Sequence, residues 1–298
     1  MYCEYYSLTQ QPFEMTPDPS FLYMGEAHRE GLATLVYGVR SGKGFVLLTG
    51  EVGTGKTTLL HALLGQLDPS TPSAFIFNPR LEPLDFFRVL CSELGMEVDC
   101  RTKAEYLLVL NRFLIEQLEK GVPTPLLIVD EAQNLSPEML EEVRLLSNLE
   151  TPTSKLIQIM LVGQPELTDL LNRSELRQLR QRIALRHDLR PFDMNETAQY
   201  INGRLSRAGH TGKAIFKRSA LRKVYQVTGG IPRLINSVCD SALLLGFSRD
   251  QRTLGADAIA EVAADLDLTT RPPIREVDGG QSAPRRFRPM QLLRRFRS

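Results

Sequence analysis

Short apolar runs alternate with longer stretches of helical spacing over the first two thirds of the chain. The apolar runs are the strand candidates Phe45–Thr49, Ala74–Asn78, Leu126–Val129, Ile157–Val162 and Ile183–Leu189. The helical stretches are Ala27–Arg40, Thr57–Gln66, Pro83–Leu94, Ala104–Lys120, Pro137–Leu149 and Glu166–Leu171. Strands this apolar that alternate with helices predict an α/β fold, in which helices cover both faces of a parallel sheet.

The pattern changes after Pro191, where the strand signals end. Four helical patterns follow, at Asn195–Ala208, Ser219–Gln226, Pro232–Phe247 and Ala256–Leu266. We therefore expect an α/β domain over residues 26–191 and an all-helical domain over residues 192–268. Residues 1–25 are rich in proline and aromatic residues, which predicts an ordered, extended lead-in and not a helix. Residues 269–298 are rich in Arg, Pro and Gly and are expected to form a disordered tail.

Composition and charge exclude several classes of protein. The 298 residues are 42% hydrophobic, which is enough for two domains with real cores. The net charge is +1, but the last 28 residues hold eight Arg against Glu276 and Asp278, so the rest of the chain is acidic. An acidic body argues against a protein that coats nucleic acid. The chain has four widely spaced cysteines, no CxxC, no signal peptide and no membrane-length apolar run, so we expect a soluble cytoplasmic protein.

A glycine-rich loop follows the first strand candidate and precedes a helix candidate. Its sequence, GEVGTGKTT, matches the phosphate-binding pattern GxxxxGK[ST] and contains Gly50, Glu51, Val52, Gly53, Thr54, Gly55, Lys56, Thr57 and Thr58. Backbone N–H groups of the loop and of the helix start would surround the β-phosphate. Lys56 would reach the β- and γ-oxygens, and the Thr57 hydroxyl would bind Mg²⁺. The alternative is a glycine turn capped by Thr57, which this context disfavours.

The segment LLIVDEAQNL supplies the acidic residues that a phosphate loop requires. Four apolar residues end in Asp130 and Glu131, at the carboxyl edge of the predicted sheet, where ligands of open sheets bind. Asp130 would hold Mg²⁺ through water, and Glu131 would orient and polarise the attacking water, as a hydrolase requires. The alternative is an ordinary acidic turn before Ser136-Pro137, which would cap the next helix.

Four further polar residues are candidates for contact with the γ-phosphate. Gln164 ends the strand next to the Asp130 strand and could sense the phosphate or the water, or simply cap its strand. In LRQLRQRIALRHDLRPF, burial of the apolar positions would leave Arg177, Arg180 and Arg182 projecting. We favour Arg182 as a residue that stabilises transition-state charge in a neighbouring subunit. The alternative is a solvated basic helix face. Arg233, in TGGIPRLIN, begins a helix, where a cation is unfavourable, so it either meets another anion or remains a surface arginine.

With these motifs, the chain resembles an AAA+ ATPase of the ExeA type, the general secretion pathway protein A family, over roughly residues 1–268. The resemblance rests on PFEMTPDPSFLY, GFVLLTGEVGTGKTTL, LLIVDEAQNL, LVGQPEL, LRQLRQRI and TGGIPRLIN. It implies a P-loop NTPase fold with a helical lid and a homo-oligomer that binds ATP and Mg²⁺. The implied roles are Walker A for Lys56 and Thr57, Walker B for Asp130 and Glu131, first sensor for Gln164, trans arginine finger for Arg182 and second sensor for Arg233.

The resemblance also bears on the start of the chain. In related ATPases the segment before the phosphate loop shapes the adenine pocket, which would here involve Leu22, Tyr23 and His28. The alternative is a lead-in that only packs on the sheet edge.

The resemblance implies ATP hydrolysis that drives conformational or assembly work for a cell-envelope secretion or export system. General secretion pathway protein A continues into a membrane span and a peptidoglycan-binding domain, and neither is found in this sequence. The chain is more similar in length to stand-alone ATPases of exosortase and exopolysaccharide loci. We therefore expect a cytoplasmic protein, peripheral at the inner membrane, that depends on a membrane-protein partner.

A DNA-binding regulator of transposition or recombination is the alternative function. The ATPase core also resembles that class, and the tail residues Arg285, Arg286, Arg288, Arg294, Arg295 and Arg297 could contact phosphates. The absence of a helix-turn-helix signature and the acidic body argue against it. The tail could instead bind anionic lipid, or remain a solvated tail.

Overall fold

A computed structural model describes residues 1–14, 21, 23–77 and 81–268, and a single parallel sheet forms its centre. The strands are β1 (Phe45–Thr49), β2 (Ser73–Ile76), β3 (Leu126–Val129), β4 (Gln158–Gly163) and β5 (Ile183–Asp188). Their order across the sheet is β2-β3-β4-β1-β5, and every neighbouring pair is parallel. The carboxyl ends of β3, β4 and β1 are therefore adjacent at one edge of the sheet.

Burial along the strands follows their place in the sheet. The three central strands β1, β3 and β4 are buried at every position. The outer strands β2 and β5 alternate between more and less buried positions, because one of their faces is less fully covered. Apolar runs with no alternation thus marked the strands of the sheet centre.

Helices cover the sheet and then form a separate layer beyond it. In the part of the chain that the structure describes, the helices before β5 are α1 (Tyr2–Tyr5), α2 (Glu26–Arg40), α3 (Lys56–Leu64), α4 (Pro83–Glu93), α5 (Lys103–Glu119), α6 (Pro137–Leu146), α7 (Pro165–Leu171) and α8 (Arg177–Arg182). After β5 come α9 (Met194–Arg207), α10 (Arg218–Thr228), α11 (Pro232–Ser248) and α12 (Ala256–Asp265). We call α9–α12 the helical lid.

The fold class predicted from the sequence is confirmed, while some element boundaries differ. The helix expected over Pro137–Leu149 ends at Leu146. Ser136 caps this helix by accepting a hydrogen bond from the Met139 N–H, as its sequence predicts. The predicted strand end at Asn78, Leu22 and the predicted tail lie outside the described residues. The division into domains at residues 191 and 192 stays a prediction.

The prediction of a lead-in without helix is wrong at its first residues. Tyr2–Tyr5 form a short helix, and the side chains of Tyr2 and Tyr6 are both buried in the core of the helical lid. These tyrosines are four residues apart and so lie on one helix face, which explains the local helix. The Tyr6 hydroxyl donates to the Gln251 carbonyl at 2.9 Å. Leu8 and Phe13 join the same core, so this segment packs on the lid and not on the sheet edge.

Candidate nucleotide-binding site

The glycine-rich loop joins β1 to α3, and its backbone requires glycine at two positions. Gly53 and Gly55 have φ angles of 80° and 99°, a region that other residues rarely adopt. A Cβ atom on Gly53 would lie 2.7 Å from the Cβ of Arg233. Gly55 is the N-cap of α3, whose first N–H groups have no acceptor within the helix. The loop therefore ends in an anion-binding helix N-terminus.

Lys56 is the first residue of α3, and its side chain is folded back against the loop. The residue is buried, and its Nζ donates to the carbonyls of Gly50 at 2.7 Å and Glu51 at 3.1 Å. Burial lowers the pKa of the Lys56 ammonium, an effect that the Glu131 and Asp130 carboxylates oppose. The ammonium is thus held at the loop within the field of two carboxylates.

Asp130 and Glu131 follow β3 at the carboxyl edge of the sheet, as predicted. Asp130 is buried, and its Oδ1 accepts a hydrogen bond from the Glu131 N–H at 2.8 Å. Burial raises the pKa of Asp130, and the nearby Glu131 carboxylate raises it further, whereas the Glu131 N–H bond and Lys56 lower it. Glu131 itself has a φ angle of 52°, an uncommon conformation for a residue other than glycine.

Two glutamine side chains meet at the Glu131 carboxylate. Gln164 Nε2 donates to Glu131 Oε2 at 3.0 Å, and Gln133 Nε2 donates to the same oxygen at 2.6 Å. Gln164 follows β4, the strand next to β3, and this position lets its side chain reach Glu131. Sequence reasoning missed Gln133, although it lies in the same DEAQ motif. Its direction depends on the φ angle of Glu131, which no residue pattern reveals.

A cavity of about 600 Å³ brings most of the predicted site residues together. Its lining includes the loop and helix residues Val52, Gly53, Thr54, Gly55, Lys56, Thr57 and Thr58, together with Asp130, Glu131 and Arg233. Gly50, Glu51, Gln164 and Arg182 are not among its lining residues. The first two contact Lys56 through their carbonyls, and Gln164 contacts Glu131, so only Arg182 lacks a link to the cavity.

One wall of the cavity is aromatic and comes from distant parts of the chain. Tyr23, His28, Phe192 and Tyr200 contribute to it. His28 Nε2 donates to the Thr54 carbonyl at 3.0 Å, so α2 is tied to the phosphate loop. Tyr23 and His28 were predicted at this wall, whereas Phe192 and Tyr200 were missed. Phe192 precedes the lid and Tyr200 lies in its helix α9, so both are more than 160 residues from Tyr23 and His28 in sequence.

The two arginine regions differ in their relation to the cavity. The Arg233 N–H donates to the Gly53 carbonyl at 3.2 Å, which brings the start of α11 to the phosphate loop. Arg182 immediately precedes β5, at the amino edge of the sheet, and its Nη1 donates to the Ser147 hydroxyl at 2.7 Å. Arg180 Nη1 donates to Asn172 Oδ1 at 3.1 Å. Neither Arg180 nor Arg182 lines the cavity of its own chain.

Known proteins agree with this architecture. Residues 39–171 match the family model described as an AAA domain. General secretion pathway protein A of Aeromonas hydrophila is 45% identical over 250 residues, which are 84% of this chain and 45% of that protein. The chain is an AAA+ ATPase similar to general secretion pathway protein A. The ATPase thus spans under half the length of this curated relative.

Solved structures share the fold of the ATPase at low sequence identity. The ORC2 protein of Aeropyrum pernix, in its ADPNP–ADP complexes, has a TM-score of 0.61 and 16% identity, over 86% of this chain and 71% of that chain. The structure of Drosophila ORC bound to DNA has a TM-score of 0.66 and 18% identity, over 86% of this chain and 64% of that chain. Both likenesses concern the fold alone.

The residues at the cavity fit ATP with Mg²⁺. Thr57 and Asp130 both line it and offer a hydroxyl and a carboxylate, the hard oxygen ligands that Mg²⁺ prefers. Over the described ranges, no group of three or more His, Cys, Asp or Glu could hold a metal by itself. A magnesium ion at this site would therefore need water and phosphate oxygens to complete its coordination.

Proposed function

We propose that the ATPase hydrolyses ATP in this cavity and transmits the energy through lid movement to a cell-envelope secretion or export system. The observation that carries the proposal is the shared cavity, which the phosphate loop, the Asp130–Glu131 pair and Arg233 line together. A glycine turn or an acidic cap alone would explain one of these elements but not their convergence. ATP is the substrate, and turnover is the source of the work.

Each residue at the cavity has a distinct task in the proposed reaction. The loop N–H groups and Lys56 bind the β- and γ-phosphates. Thr57, and Asp130 through water, would hold Mg²⁺, which would neutralise charge on those phosphates. Glu131 accepts a proton from the attacking water. Gln164, which already bonds to Glu131, reports the state of the γ-phosphate to that carboxylate.

The position of Arg182 supports a role in a neighbouring subunit. The phosphate loop follows the carboxyl end of β1, whereas Arg182 precedes the amino end of the adjacent parallel strand β5. Five strand residues, or about 16 Å, separate these two levels. Arg182 is thus too far away to reach the phosphates of its own chain, and we propose that it acts in trans within a homo-oligomer.

The lid is the element that converts turnover into movement. Arg233 lines the cavity, and its N–H contacts the loop at Gly53. A γ-phosphate in the cavity attracts the Arg233 guanidinium, and its loss removes that attraction. The angle between lid and sheet then follows the nucleotide state, which provides the motion for client work.

The secretion assignment extends what the name of the relative says of that protein. Along the described residues, no helix combines the length and the apolar character needed to cross a bilayer. We therefore propose a location at the inner membrane through a membrane-protein partner. The alternative, a regulator that loads on DNA, has no specific support, since the likeness to DNA-bound ORC concerns the fold.

Two assays test these proposals. Glu131→Gln should abolish ATP turnover while nucleotide binding persists, whereas Glu138→Gln, at an exposed site on α6, should match the wild type. Glu131→Gln loaded with ATP and Mg²⁺ should co-sediment with inner-membrane vesicles, and protease treatment of the vesicles should remove this binding.

Duplex DNA at physiological salt distinguishes the alternative. The test uses the ATP-loaded protein, intact and cut after Thr270. Retention of DNA by both forms, together with no vesicle binding, would replace the secretion proposal with the DNA-regulator function.

A further inference from the structure

Gln133 links the carboxyl ends of two neighbouring strands at the candidate site. Its Nε2 donates to Glu131 Oε2 at 2.6 Å, and its Oε1 accepts a hydrogen bond from the Gln164 N–H at 3.1 Å. Glu131 follows β3 and Gln164 follows β4, so a single amide bridges the two strand ends. Both ends of the Gln133 amide are therefore in use.

The orientation of the Gln133 amide follows from its partners. The Gln164 backbone N–H is a donor, so it must face the amide oxygen of Gln133. The amide NH₂ then points to the Glu131 carboxylate, which is an acceptor when ionised. Exchange of the two amide atoms would place the Gln133 oxygen against the Glu131 carboxylate, two acceptors, and the Gln133 NH₂ against the Gln164 N–H, two donors. The hydrogen-bond pattern therefore determines one orientation.

The space around Gln133 is restricted. A Cβ atom on Gly163 would lie 2.7 Å from Gln133 Oε1, so a larger residue at position 163 would displace the amide. The glycine that ends β4 thus makes room for the bridge. Gly163 belongs to the LVGQPEL motif, in which the sequence analysis gave Gln164 a possible sensor role but gave Gly163 none beyond ending a strand.

The two oxygens of the Glu131 carboxylate have different surroundings. Oε2 accepts hydrogen bonds from both Gln133 and Gln164. Oε1 accepts none from any residue in the described part of the chain. The φ angle of 52° at Glu131 sets the direction in which its side chain leaves the backbone, and the two hydrogen bonds to Oε2 hold the carboxylate. One oxygen is anchored, and the other is available for water.

We propose that Gln133 is a positioning residue that anchors Glu131 Oε2 and thereby directs Oε1 at the attacking water, a role that rests on the proposed function of Glu131 as the base. Charge-assisted hydrogen bonds such as the 2.6 Å contact are stronger than neutral ones. A misplacement of about 1 Å in a catalytic group can cost about 100-fold in rate. Gln133 itself is not among the residues that line the cavity.

Two substitutions at the same position separate positioning from simple support of the β4 end. Gln133→Met keeps the side-chain length and removes both hydrogen bonds. Gln133→Glu keeps an oxygen that accepts from the Gln164 N–H, but it replaces the donor to Glu131 by a second carboxylate. Gln226→Met, at an exposed site on α10, is the matched control and should behave as the wild type.

Steady-state kinetics and nucleotide affinity are the first measurements. We expect Gln133→Met to lower kcat by about 10- to 100-fold, while the affinity for a fluorescent ATP analogue changes less than about twofold. Thermal unfolding of both variants shows whether they fold. If Gln133→Glu had the kcat of the wild type, support of the Gln164 N–H would be the whole role of Gln133, and the proposal would be wrong.

The Glu131→Gln variant separates this inference from the function on which it rests. If Glu131→Gln is inactive while both Gln133 variants keep the kcat of the wild type, only the positioning role is wrong. If Glu131→Gln keeps full turnover, the assignment of Glu131 as the base is wrong, and the positioning role is overturned with it.

Discussion

The backbone N–H of Arg233 donates to the carbonyl oxygen of Gly53 at 3.2 Å, so the first turn of α11 touches the phosphate loop. The contact is close, because a Cβ atom on Gly53 would approach the Arg233 Cβ to 2.7 Å. The lid and the loop therefore cannot move independently at this point. A movement of Gly53 on nucleotide binding would therefore displace the first turn of α11.

A methyl group at Gly53 should weaken nucleotide binding by forcing the lid away from the loop. Gly53→Ala adds a side chain at a φ angle of 80°, where no space is free. Gly95→Ala is the matched control, since Gly95 has a φ angle of 76° and nothing within 4 Å of its added Cβ. Both variants should lose about 1 kcal/mol of unfolding free energy through backbone strain. Only Gly53→Ala should also lose nucleotide affinity, by about tenfold or more.

Urea unfolding and titration with a fluorescent ATP analogue provide the two measurements for this pair. Equal nucleotide affinity in Gly53→Ala and Gly95→Ala would show that the contact between lid and loop has no part in binding.

Mixing two inactive variants should restore turnover if Arg182 acts in trans. Glu131→Gln lacks the proposed base but keeps Arg182, and Arg182→Ala lacks the arginine but keeps the base. In a mixed oligomer, some interfaces combine an intact cavity with an intact arginine. We expect the mixture to exceed the summed ATPase rates of its components by several-fold.

Arg177→Ala is the control for this experiment, because Arg177 is exposed on the same helix α8. It should keep its activity alone. The trans role would be excluded if the mixture gave only the sum of the two separate rates, or if Arg182→Ala alone were fully active.

Sequence predicted the bounds of some strands of the sheet more accurately than those of others. The bounds of Phe45–Thr49 and Leu126–Val129 were predicted to the residue, because each is a continuous apolar run that ends at a glycine or an acidic residue. The lead-in was harder, since its prolines argued for extended chain throughout. What decided the helix at Tyr2–Tyr5 was burial against the lid, which is a long-range effect.

The same limit applies to the candidate site. The phosphate loop and the Asp130–Glu131 pair are each a continuous stretch of sequence that directly follows an apolar strand, so each could be placed at the carboxyl edge of the sheet. The aromatic wall needs Phe192, whose ring packs on His28 of α2, and Tyr200, whose ring packs on Phe192. These contacts join segments that are distant in sequence, so no local pattern predicts them. Gln133 was missed because its direction depends on the unusual backbone of Glu131.

Removal of the Phe13 side chain should destabilise the lid strongly. Phe13 is 1% exposed and packs edge-on against Phe216 at a ring distance of 6.3 Å. Phe13→Ala should cost about 3–5 kcal/mol of unfolding free energy. Phe77→Ala is the matched control, because Phe77 is 60% exposed and, among the described residues, its ring stacks only on Phe75, and it should cost about 1.5 kcal/mol or less. Urea unfolding followed by circular dichroism checks both values. A loss in Phe13→Ala as small as that expected for Phe77→Ala would show that Phe13 adds nothing to the lid core.

Buried His28 and half-buried His187 should make the protein less stable as pH falls below neutrality. Burial lowers the pKa of both His28 and His187 below the usual 6.5. From near that value downward, the unfolded chain therefore binds more protons than the folded one, and stability decreases with falling pH. Each histidine can contribute up to about 1.4 kcal/mol per pH unit in this window. The lowered pKa of a carboxyl such as Glu196 acts only at more acidic pH, below about 4.5.

Replacement of one histidine should remove its share of this dependence. His28→Gln retains an N–H that can donate to the Thr54 carbonyl but has no titrating group. We expect the difference in unfolding free energy between pH 7.5 and pH 5.5 to be smaller in His28→Gln than in the wild type, by up to about 1.4 kcal/mol. His61→Gln, at an exposed position on α3, should leave that difference unchanged. Urea unfolding at the two pH values gives the result, and an undiminished difference in His28→Gln would mean that His28 is protonated as readily in the folded protein as in the unfolded chain.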